Sequence, residues 1–263
     1  MNEKYRLEAS GDRNCGWRQS CGLIAIETSG RVGSVLLELP GAPPHLIDLP
    51  ASERTAVSLA GAIAECLEIG RRRAEPIGLV AVASGPGSFT GLRIGVTTAK
   101  ALAYGLGCRL IGVDTLATLA GGVWRANTRC TAATVAINAY RGQLFVAHWR
   151  RDEWEAAADA DTLARRSQVW SVAKWTASLT RWRTGVDGQE SSNIADRHSA
   201  FAAEPAVVKL TASAAGHQPI TLSPHAIDVA VLARRIAGGD SDVSPMRLLP
   251  NYLRESAAEE KLE

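Results

Sequence analysis

Ser84-Gly85-Pro86-Gly87-Ser88-Phe89-Thr90-Gly91-Leu92-Arg93-Ile94-Gly95 is the stretch that decides how this 263-residue chain is read. Before it, behind Pro76, the short apolar run Ile77-Gly78-Leu79-Val80-Ala81-Val82-Ala83 predicts a parallel strand buried on both faces. After it, Leu92, Val96, Ala99, Ala103 and Leu106 recur at helical spacing, and Gly105 and Gly107 end the helix. A strand passing through glycines into a helix aims unpaired N–H groups at whatever approaches, which suits a phosphate. The turn lacks the Gly-Lys-Ser/Thr ending of a Walker A loop, however, so no lysine is placed on a γ-phosphate. Its Gly-x-Gly-x-x-x-Gly spacing, with Asp114 after the next strand, imitates a dinucleotide fingerprint. That fingerprint opens a sheet, whereas this turn follows a meander and a helix.

The helix after the turn carries a second pattern, Gly91, Gly95, Thr98, Leu102 and Gly105, spaced four, three, four and three. A small-residue face admits another backbone closely, at up to about 1 kcal/mol for each helical glycine. Packing within the chain would explain it; docking a helix of another chain is the functional reading. Phe89, Thr90 and Arg93 stand at the mouth, and phenylalanine and arginine are types that anchor interfaces.

Outward from this centre, Leu23-Ile24-Ala25-Ile26-Glu27-Thr28 predicts a buried strand. Gly33 to Leu39 is its hairpin partner and His45 to Leu49 a third strand. A helix with Ser52 as N-cap and Gly70 as stop follows. Downstream come a strand from Arg109 to Val113, a helix capped by Asp114, and strands over 131–138 and 142–149 that open a second lobe echoing the first. Beyond Arg150 the periodicity weakens, 184–199 reads as loop, and a helix over 224–236 precedes a charged tail. The resulting division is a disordered leader over 1–21, a first lobe over 22–126, a divergent second lobe over 127–245 and a tail over 246–263.

Net charge is only +2, so strong unaided attraction to a polyanion is not expected. Five scattered cysteines without a Cys-x-x-Cys pair argue against a disulfide framework or a zinc knuckle, and no stretch reaches the ~20 apolar residues a bilayer needs. The expectation is a soluble cytoplasmic protein. No two of the five histidines share a helical face at i, i+4, which leaves no metal set, and Ser88 has no histidine nearby in sequence, which leaves no nucleophile. Glu27, followed by Thr28 and Ser29, is the one acid placed for a nucleotide; with Gly85, Gly87 and Ser88 it would form the contact set of a self-sufficient ATPase or sugar kinase-like enzyme. Five of the seven tryptophans lie within 149–182 among arginines. They fill a core or stack on bases.

Residues 23–29, the run Gly85 to Gly95, Gly112-Val113-Asp114-Thr115-Leu116 and Pro250-Asn251-Tyr252-Leu253-Arg254 resemble the bacterial TsaB (YeaZ) family, grouped with the M22 glycoprotease-like proteins. The resemblance implies an α/β, actin-like ATPase fold of two ribonuclease H-like lobes. It implies a role in forming N6-threonylcarbamoyladenosine at position 37 of tRNAs that read codons starting with A, with no catalytic residues in this chain. The chemistry, with ATP, Mg²⁺ and a metal ion, would belong to a TsaD-like partner and a TsaE-like ATPase, and tRNA would be met through the complex. On this reading Phe89, Thr90, Gly91, Leu92, Arg93, Gly95, Thr98 and Leu102 form the partner interface, and homodimerisation without the partner stays open. Where the family has Asp-Thr-Ser this chain has Glu27-Thr28-Ser29. Its Ile-Asp-Ala-Arg-Arg-Gly-Glu is here Ile137-Asn138-Ala139-Tyr140-Arg141-Gly142-Gln143, so two acids are lengthened or neutralised.

Overall fold

The computed structural model describes residues 21–157, 159–184, 199–211, 219–237 and 244–253, the side chains of 182–184 excepted. The expected leader, apart from Cys21, and most of the expected loop over 184–199 lie outside the described residues. The first half runs β1 Gly22–Glu27, β2 Gly33–Glu38, β3 His45–Leu49, α1 Thr55–Arg73, β4 Ile77–Gly85, α2 Phe89–Leu106, β5 Arg109–Asp114 and α3 Thr115–Ala126. The second runs β6 Ala132–Tyr140, β7 Gln143–Arg150, α4 Arg151–Ala156, α5 Ala160–Ala164, β8 Gln168–Ser171, α6 Val172–Thr184, β9 Ser199–Ala203, α7 Pro205–Thr211, β10 Ile220–Thr221 and α8 Ala226–Ile236. With α4 and α5 set aside as an insertion, the two halves have one element order.

The sheets confirm the repeat. The first is ordered β3-β2-β1-β4-β5 and the second β8-β7-β6-β9-β10. In each, the first three strands pair antiparallel and the last two join in parallel. This is the actin-like duplication of a ribonuclease H-like lobe, made of topology with no visible repeat of residues.

Alternating side chains sort the interior into layers. Ile24, Ile26, Val80 and Val82 face Leu59, Ile63, Val96 and Ala99 of α1 and α2. Leu23, Ala25, Leu79 and Ala81 face the other way, where they share one core with α3, α8 and the inner side of the second sheet, including Val135, Ile137 and Trp149. Trp175, Leu179 and Val207 of α6 and α7 cover the second sheet's outer side with Phe201. The order is therefore helices, sheet, helices, sheet, helices. Helix α8 follows the second sheet in sequence but packs on the first: Ala226 N donates to Ser34 Oγ at 2.9 Å and Arg234 pairs with Glu38. Its Asp228 takes a two-pronged bond from Arg125 of α3 at 2.9 and 3.1 Å. Sequence order near Ala126 marks a change of sheet, not a boundary of packing.

Two local expectations shift. Helix α1 begins at Thr55 with Arg54 at the cap and no side-chain bond there, so Ser52 is not its N-cap. It also runs past Gly70 to Arg73 and closes on Ala74 in the left-handed region (φ 54°). Of the five tryptophans over 149–182, Trp149, Trp154 and Trp175 are buried, Trp170 is half-buried and the Trp182 side chain lies outside the described residues; Trp154 packs on Trp124 with ring centroids 5.0 Å apart. Nearby cations are used inside the fold, Arg235 over Trp154 and Arg166 over Trp149. No helix among the described residues is long and apolar enough to cross a membrane.

Candidate functional site

Three parallel strand ends meet at one edge of the first sheet. Glu27 ends β1, Gly85 ends β4 and Asp114 ends β5. Ser88 caps α2 by accepting from Gly91 N at 3.3 Å, and Ser88 N donates to Ser29 O at 2.7 Å, which ties the glycine turn to the residues after β1. Thr28 Oγ1 donates to Gly91 O at 2.9 Å. Contact is so close that a Cβ on Gly91 would overlap the Thr28 carbonyl oxygen, one on Gly95 the Thr28 hydroxyl, and one on Gly87 would lie 2.6 Å from Ser29 Cβ. These glycines are needed because the turn and the start of α2 lie directly on Thr28 and Ser29, just past the end of β1.

That contact corrects part of the sequence reading. Gly91, Leu92 and Gly95 are buried inside this chain, so they are not available to a second one. Thr98 and Leu102 are half-buried, and Leu102 packs on the core beneath. The face that α2 does present carries Thr90, Arg93, Thr97, Ala101, Tyr104 and Gly105, all exposed.

Glu27 is fully buried. Its Oε1 accepts from Ser29 N at 2.8 Å and from Ser29 Oγ, while Oε2 has no partner. Burial outweighs these bonds and pushes its pKa up to about 7. Glu204, at the end of β9, adds a smaller repulsion from the opposite sheet. Burial raises Glu204 as well, while its Oε1 accepts from Asn138 N at 2.7 Å. Glu204 was not singled out in the sequence; the only signal was its place before Pro205, a helix-start pattern. Asp114 caps α3 through Ala117 N at 2.8 Å, accepts from Ser167 Oγ at 2.9 Å, and is raised to about 7 by burial.

The Glu27 carboxyl folds back onto the N–H and hydroxyl of Ser29, and in the second lobe the backbone N–H of Asn138 is taken up by Glu204. No group of three or more His, Cys, Asp or Glu that could hold a metal ion occurs among the described residues. The hydroxyl of Ser88 serves as a helix cap.

Sequence reasoning also missed what lies across the turn. Residues 247–253 return to it: Asn251 N donates to Ser84 O at 2.7 Å, and the Tyr252 ring stands 4.8 Å from that of Phe89. Beside this segment a cleft of ≈ 510 Å³ opens among Ser84, Asp114, Asp161, Arg165 and Arg247. The two most distinctive motifs of the chain, far apart in sequence, thus form one structure.

A family model described as TsaD, tRNA N6-adenosine threonylcarbamoyltransferase, matches residues 49–239. The tRNA threonylcarbamoyladenosine biosynthesis protein TsaB of Escherichia coli K12 is 34% identical over 181 residues, 65% of this chain and 77% of that one. This chain belongs to the TsaB family. TsaB of Bacillus subtilis is 44% identical over a shorter stretch of 68 residues, 25% of this chain and 28% of its own. Among solved structures, YeaZ from Pseudomonas aeruginosa superposes with a TM-score of 0.63 at 20% identity, covering 89% of this chain and all of its own, which shows the fold.

Proposed function

We propose that this TsaB-family chain is a non-catalytic subunit of tRNA threonylcarbamoyladenosine biosynthesis, and that it binds and activates a TsaD-type transferase. The modified position is 37 of tRNAs that read codons starting with A; a TsaE-type ATPase completes the assembly, and ATP, Mg²⁺ and the metal ion act in those partners. The tRNA is met through the complex. The supporting observation is a pair of helical glycines that the fold itself does not need. Gly61 on α1 and Gly105 on α2 point outward, and a Cβ on either would meet nothing within 4 Å. A helical glycine costs about 1 kcal/mol against alanine, so a partner that needs the room explains both. Around them lie Ala60, Ala64, Thr97 and Ala101, with Val57 and Tyr104 65% and 74% exposed. Helices α1 and α2 lie side by side on the outer face of the first sheet, which makes this one continuous surface.

Thr97→Arg and Ala101→Arg test the surface. Each is expected to abolish co-purification with the TsaD-type transferase while leaving the thermal melt of the isolated chain unchanged. Normal assembly by both variants sinks the assignment. Without the partner the same face can pair two copies, which sedimentation of the isolated chain measures. Nucleotide titration addresses the enzymatic alternative: tight binding with turnover, lost in Glu27→Ala, would replace this proposal.

A further inference from the structure

Residues 247–253 run beside α2 from its middle to its first turn and are pinned along the way. Lys100 Nζ donates to Leu248 O at 3.1 Å, and the Leu248 side chain is buried in the core beneath α2. Gly112 has no room for a Cβ because Leu248 Cδ1 would lie 2.5 Å from it. Asn251 N holds Ser84 O, and the Asn251 carbonyl sits where a Cβ on Gly85 (φ 125°) would have to go. The segment ends on the helix mouth: Tyr252 packs on Phe89, Arg93 Nε donates to Tyr252 Oη at 3.2 Å, and the Arg93 guanidinium lies 3.8 Å over the Phe89 ring.

We infer that residues 247–253 form a strap that sets the pose of the docking helix α2, and that Tyr252 is its positioning residue. The first turn of α2 needs such a fastener. Phe89 is only half-buried, Arg93 is exposed, and neither reaches the core beneath the sheet. The inward side of the helix is fixed by Gly91 and Gly95 against Thr28; on the outward side of the first turn Tyr252 holds the Phe89–Arg93 pair through its ring and its hydroxyl. The strap thereby links the last described residues of the chain to the surface proposed for the partner. The consequence for assembly rests on that proposal, whereas the consequence for the helix does not.

Tyr252 is 40% exposed, so its replacement leaves the core intact. In the full chain, Tyr252→Ala is expected to speed amide exchange over residues 90–97 about fivefold to tenfold, the worth of an aromatic pair with one hydrogen bond. Tyr252→Phe keeps the ring and loses only the exposed hydrogen bond, so its rate is expected to rise about twofold to threefold, short of Tyr252→Ala. Lys100→Met, which frees the other end, should loosen the same helix with its sequence at the mouth unchanged. Unchanged exchange over 90–97 in both Tyr252→Ala and Lys100→Met overturns the strap, whatever the partner does. Where exchange rises, affinity for the TsaD-type transferase is read next: about a tenfold loss in Tyr252→Ala, largely recovered in Tyr252→Phe, supports the link to docking. Native affinity in a loosened helix overturns that link. If Thr97→Arg and Ala101→Arg also assemble normally, the docking surface fails, and the exchange data alone decide the strap.

Discussion

In the first lobe, β4 enters its helix through Gly85-Pro86-Gly87-Ser88; in the second, β9 enters its helix through Glu204-Pro205. The position in the repeat is the same. The glycine version feeds an eighteen-residue helix that lies directly on Thr28, just past the end of β1. The glutamate version feeds a seven-residue helix without a glycine, and its acid turns inward to hold the N–H of Asn138. One turn has become a mount for a long exposed helix, while the other fastens its own sheet. Duplicated topology thus leaves the two lobes free to divide tasks.

The largest test of this contrast is Gly91→Ala. Its Cβ would strike the Thr28 carbonyl, a backbone atom that cannot swing aside, so a loss of about 3 kcal/mol is expected, seen as a markedly lower melting temperature. No substitution of similar size in α7 should match it. A tolerated Gly91→Ala would mean that α2 is not tightly mounted on β1.

Next come the three acids that burial raises, Glu27, Glu204 and Asp114. Glu27 is raised from 4.5 to about 7 when folded, so between those values the folded chain holds a proton the unfolded chain has lost. Stability from this group is complete below about pH 4.5 and falls as pH rises toward 7, by about 3 kcal/mol in all. Glu27→Gln should therefore match the native chain at pH 4.5, exceed its stability by about that amount at pH 8, and flatten the slope. Glu204 is raised in the same direction, so Glu204→Gln should flatten the slope with the same sign. Asp114, raised from 3.8 to about 7, leaves a residual slope in both variants. Denaturant melts at several pH values measure all three. An unchanged slope in Glu27→Gln would show that its carboxyl is not held neutral.

The smallest effect separates the two faces of α2. Gly105→Ala places its methyl in open space and should stabilise the isolated chain by about 1 kcal/mol, opposite in sign to Gly91→Ala. If both glycines were costly to replace, the outward face would not be empty.

Much of this arrangement could be read from the chain. The strand before the glycine turn, the cap at Asp114 and the hairpin after Glu27 each carry a local signal in apolar run, cap chemistry or turn residues, and each forms where the pattern put it. What depends on distance could not be read. Spacing put Gly91 and Gly95 on a small-residue face but could not say that Thr28 already fills it. Glu204 looks like any acid before a proline until the second sheet brings it opposite Glu27. Tyr252 and Phe89 lie far apart in sequence, and only tertiary structure makes them neighbours. Beyond Arg150 the strands are short, four residues in β8 and two in β10, too few for a period to show.

Helix α8 has a consequence for how the chain is made. The inner side of the first sheet is sealed by α8, which ends at Ile236 and is tied back to Ser34, Glu38 and Arg125. Synthesis runs from the N-terminus, so the strands from Gly22 to Asp114 emerge with only α3 at hand to cover part of their inner apolar surface, and the rest waits for the second lobe to be translated. The first lobe is the older part of the nascent chain and the last to be closed, and a ribosome stalled before α8 would display an open, sticky sheet.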